Sequence, residues 1–85
     1  MRTEQEIKIR IHELEETMNI AITRYYRGDD SAEGFKQVYS AGWDEMRILY
    51  WVLGNSGIEA TIIVAEKVTK MSDDIKAAMT EIKPE

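Results

Sequence analysis

One histidine, no cysteine and a few acidic pairs are the residues from which this chain could build chemistry. His12 has no thiol to activate, and a hydroxyl nucleophile would need a base that no motif places beside it. In the company of Lys8, Glu13 and Glu16, His12 reads as a surface residue of a helix. The missing cysteines exclude disulfides and thiolate zinc sites, and a reducing cytoplasm is the simplest compartment for such a chain. Glu13 and Glu16 stand three residues apart, on one face of a helix, and Asp44-Glu45 falls on a second helix. Carboxylates from two helices can meet around magnesium, whereas acidic pairs at this spacing otherwise line a solvated face. On the second reading there is no catalytic residue, metal ligand or cofactor site to assign, and the chain is expected not to be an enzyme.

Glu13-Leu14-Glu15-Glu16 is similar to the first motif, Glu-x-x-Glu, of the MazG-like nucleotide pyrophosphohydrolases. That resemblance implies an all-helical, magnesium-dependent enzyme. The family's second motif, Glu-x-x-Asp, has no counterpart, because Ile48 stands three residues after Glu45. A broader resemblance joins the segment Thr3 to Glu16 with Tyr50-Trp51-Val52-Leu53-Gly54 and looks like short helical-hairpin proteins of phages and archaea. It implies a hairpin of two helices and leaves the third helix outside.

With 16 acidic and 11 basic residues, a net charge of −5 and no basic block, the 85-residue chain is not expected to bind nucleic acid directly. An acidic surface can instead imitate phosphate and inhibit a nucleic-acid-processing partner, which is the alternative binding function. The first residues carry charge and no apolar core of a signal peptide. The longest apolar stretch, Met46 to Ala65, is broken by Arg47, Gly54, Asn55, Ser56, Gly57 and Glu59, so no membrane span is expected. A soluble cytoplasmic protein follows as the expectation.

The elements that position these residues are helices. Thr3 and Glu6 have capping-box spacing, and Ile7, Ile11, Leu14, Met18, Ala21 and Tyr25 then step by fours and threes as an unbroken heptad seam. Gly28 is a helix stop, Asp29-Asp30-Ser31 offers capping oxygens, and the short turn predicts an antiparallel hairpin. Arg27-Gly28-Asp29 also spells the integrin tripeptide, which the helix stop explains in full. Phe35, Val38, Tyr39, Gly42, Met46, Leu49 and Leu53 form the inner stripe of the second helix. Gly42 on that stripe predicts a close approach by a neighbouring helix or a bulky ring, with Tyr39 and Trp43 as the candidate bulk. Gly54-Asn55-Ser56-Gly57 ends the helix, and Ser56 with Glu59 repeats the capping box. The last helix carries two stripes, Ile58, Ile62 and Ala65 against Val64, Val68, Met71, Ile75, Met79 and Ile82, and should fray from Met79 to Glu85. The reading is a single all-α domain over residues 1–85, with three long helices at about 3–27, 31–53 and 56–82.

This fold has too many apolar residues for one small bundle. Seven of the eight residues from Met46 to Leu53 are apolar or aromatic, and Ile48, Trp51 and Val52 lie off the inner stripe. Ile9 and Ile20 lie off the first seam, and Thr61 to Ala65 is apolar on nearly every side. A helix that is apolar all round needs partners on both sides, either two neighbouring helices of the same chain or one such helix and a second molecule at an interface around Trp51. The expected interface is Ile9, Ile20, Ile48, Trp51, Val52, Ile63 and Val64, and the expected function is a non-enzymatic interaction module that self-associates. A homodimer is favoured, and an unidentified protein partner is the alternative occupant.

Overall fold

In a computed structural model that describes residues 3–82, the chain forms three helices, α1 (Glu4–Arg27), α2 (Ala32–Val52) and α3 (Gly57–Ile82), with no strand among the described residues. Pro84, Glu85 and the last part of the segment expected to fray lie outside that range. The helix ends obey local chemistry. Thr3 accepts the Glu6 backbone N–H while Glu6 accepts the Thr3 N–H, closing the capping box of α1. Ser31 caps α2 by accepting from the Gly34 N–H, and Ser56 and Glu59 bond reciprocally at the start of α3. The Ser56 donors hold the Glu59 carboxyl below the usual glutamate range. Gly28 ends α1 in the left-handed conformation at φ 80°, which only glycine adopts without strain.

The hairpin of α1 and α2 is antiparallel. Near one end the Tyr25 and Phe35 rings stack with centroids 4.4 Å apart, and toward the other Arg10 grips Glu45 through two hydrogen bonds of 2.7 and 3.0 Å. α3 returns alongside α1 in the same direction: the Lys67 ammonium donates to Glu15 at 3.1 Å, and further along Lys76 sits 5.5 Å from the centre of the Tyr26 ring. The Glu15 hydrogen bond raises the Lys67 pKa above the ordinary lysine value.

All three helices feed one core. Leu14, Met18, Met46, Val64 and Val68 form its centre, with Tyr39, Trp43, Leu49, Tyr50 and Met71 packed around them. The heptad seam of α1 is its buried stripe up to Ala21, and Ile22 is buried beside it. Tyr25 is more than a third exposed. Val64 is fully buried in this core and has no surface to offer a second chain, which removes it from the expected interface. The close approach at Gly42 comes from Met18 of α1. A Cβ added at Gly42 would lie 3.0 Å from both Cγ and Sδ of Met18, so the methionine, not Tyr39 or Trp43, fills the space the glycine leaves.

Candidate interaction surface

Once the core is assembled, the apolar residues left outside it concentrate where α2 ends and α3 begins. Ile48, Trp51 and Val52 are 54%, 61% and 52% exposed, and Ile58 and Ile62 at the start of α3 are 76% and 51% exposed. Arg47, Ile48, Trp51 and Gly57 line one shallow hollow, which joins the outer side of α2 to the first residue of α3. The antiparallel hairpin brings the start of α1 to this same end, and with it the half-exposed Ile9. Ile9 lies in a groove with Glu6, Arg10, Glu13 and Glu45 between α1 and α2.

The other residues expected at an interface fall elsewhere. Ile20 is 60% exposed, but at the ideal rise it lies about 16 Å along the axis of α1 from Ile9. It sits in a groove of α1 and α3 whose charged walls are paired internally, Lys67 with Glu15 and Lys70 with Asp74. Ile63 is partly buried. Ile58 and Ile62, which the sequence assigns to one of two stripes of α3, belong to the exposed surface. Their signal was the second stripe itself: a helix with one core offers one stripe to it and turns the other outward.

Carboxylates do not gather into a centre. Glu16 lies 3.0 Å from His12 Nε2, Glu13 lies 3.6 Å from Arg10, and Glu45 is held by the same Arg10. Among the described residues no three histidine, aspartate or glutamate side chains stand where they could hold one metal ion. The acidic residues of the Glu-x-x-Glu segment thus meet side chains of their own helix, Arg10 beside Glu13 and the His12 imidazole beside Glu16, as in a solvated helix face.

Among the described residues, no helix is long and apolar enough to cross a membrane. Comparison with protein-family models, curated proteins and solved structures finds no match.

Proposed function

We propose that this chain is a non-enzymatic helical assembly module of the cytoplasm that self-associates as a homodimer, covering the apolar surface around Trp51. The observation that supports it is the concentration of Ile48, Trp51, Val52, Ile58 and Ile62, each more than half exposed, at one end of the bundle. Isolated apolar residues on a surface are ordinary, but a contiguous group marks an interaction site. Tryptophan is enriched among the residues that dominate binding energy, and Trp51, 61% exposed, lines the hollow with Ile48 that reaches the first residue of α3. Ile9 is a secondary contact at the same end, and Ile20 and Ile63 are peripheral. Each 100 Å² of apolar surface covered contributes about 2.5 kcal/mol before the costs of association, so even a modest apolar interface matters to an 85-residue domain.

The test is the mass in solution by sedimentation over a wide concentration range, with Trp51→Glu beside the wild type. A wild-type dimer and a variant weakened about 30-fold or more, as loss of a hot-spot residue gives, support the reading. Melting temperature should then rise with wild-type concentration and not with that of the variant. A wild type that is monomeric throughout, with a concentration-independent melting temperature, would refute self-association.

A further inference from the structure

We propose that the two copies dock antiparallel along α2, crossing beside Asp44 and Arg47; this rests on the self-association reading and specifies its geometry. Gln37, Ala41, Asp44, Ile48 and Trp51 alternate by four and three along the face of α2 opposite Gly42 and Met46, and all five are exposed. Size changes along that stripe. Toward the α1–α2 turn it holds Gln37 and Ala41, with Ser40 alongside; toward the α2–α3 turn it holds Ile48 and Trp51, with Val52 alongside. A parallel pair would set bulk against bulk at one end and leave a gap at the other. An antiparallel pair sets Ile48 and Trp51 of each helix over the stretch of the other that holds the small Ser40 and Ala41, which lets the axes run at an even spacing.

Charge selects the same direction. From Gln37 to Val52 the charged residues are Asp44, Glu45 and Arg47, and Glu45 is engaged by Arg10. Asp44 and Arg47 are exposed, and their contact within the helix is 4.0 Å, the outer limit of an ion pair. In an antiparallel crossing, Asp44 of each copy faces Arg47 of the other, so two ion pairs form across the two-fold axis. In a parallel pair, like charges would face each other at both positions. The outer faces of the other helices suit docking less. α1 presents Glu4, Lys8, His12, Glu13 and Glu16 around the separate Ile9 and Ile20, and α3, beyond the exposed Ile58 and Ile62 at its start, presents Glu66, Lys70, Asp73 and Asp74.

The experiment measures dimer affinity by sedimentation for the wild type, Asp44→Arg, Arg47→Asp and the double exchange. Each single exchange places two like-charge pairs at the crossing and should weaken the dimer about tenfold, and the double exchange should restore it. The chain has no cysteine, so introduced thiols report geometry cleanly. In the antiparallel pair, the two copies of an Ala41→Cys variant stand about 14 Å apart along the axis and do not form a disulfide. Mixed with Val52→Cys, the same variant does cross-link. A dimer that is indifferent to the charge exchanges, that the double exchange fails to restore, or in which Ala41→Cys links to itself overturns this geometry and leaves self-association standing. A monomeric wild type overturns both.

Discussion

Helices α1 and α2 pack against each other, yet they differ in how many apolar residues they bury and in how closely they group the exposed ones. α1 buries Ile7, Ile11, Leu14, Met18, Ala21 and Ile22, and its outer face holds charges paired along the helix, Lys8 with Glu4 and Arg10 with Glu13, around the single exposed Ile9 and Ile20. α2 buries fully only Gly42 and Met46, and carries Ile48, Trp51 and Val52 on the outside. The lesson concerns what amphipathicity is for. α1 has one buried apolar stripe and a mostly charged outer face on which Ile9 and Ile20 stand singly, 52% and 60% exposed. α2 has the composition of a helix between two layers and has one of them within this chain.

The contrast can be broken most directly at Met46. If α2 is held to the bundle through so few fully buried groups, Met46→Ala should lower the unfolding free energy by about 2–5 kcal/mol in chemical denaturation, the range for emptying a tight core site. A loss below about 1 kcal/mol would mean that the half-exposed residues of α2 hold it in place, and the contrast with α1 would collapse. Gly42→Val sharpens the same point from the other direction. Its side chain must enter space occupied by the buried Met18, so overpacking should destabilise by about 1–3 kcal/mol and lower the melting temperature.

The smallest effect belongs to the polar stitching of α1. Lys67→Met removes the hydrogen bond to Glu15 and should change stability by less than about 1 kcal/mol at neutral pH, because the pair is partly solvated. Its signature is in alkali. A lysine whose pKa is raised in the folded state contributes fully below the unfolded value of about 10.4 and loses that contribution as pH climbs through the higher folded value. The wild type should therefore lose stability relative to Lys67→Met across that alkaline window, as pH-dependent denaturation curves would show.

Much of the fold was legible because it is written in short-range chemistry. Thr3 with Glu6, Ser31, Ser56 with Glu59, and Gly28 act within a few residues, and the seam from Ile7 to Ala21 is a simple period. What could not be read was long-range register. Gly42 announced a close approach, but Tyr39 and Trp43 share its helix and cannot lie across it, and only the packed hairpin brings Met18 there. Val64 was ambiguous for a related reason: from Thr61 to Ala65 nearly every direction is apolar, and periodicity says nothing about which one meets Leu14 and Met46. The surface around Trp51 was visible in part, as Ile48, Trp51 and Val52. Its extension to Ile58 and Ile62 required knowing which stripe of α3 turned inward.

The Met18–Gly42 contact works as a keyway. A single buried side chain seated in a single missing one locks how far α1 and α2 can slide past each other, and it does so near the middle of the rod rather than at the turn. The turn from Gly28 to Ser31 is then relieved of setting alignment and has only to reverse the chain, so lengthening it would add slack without changing which residues meet.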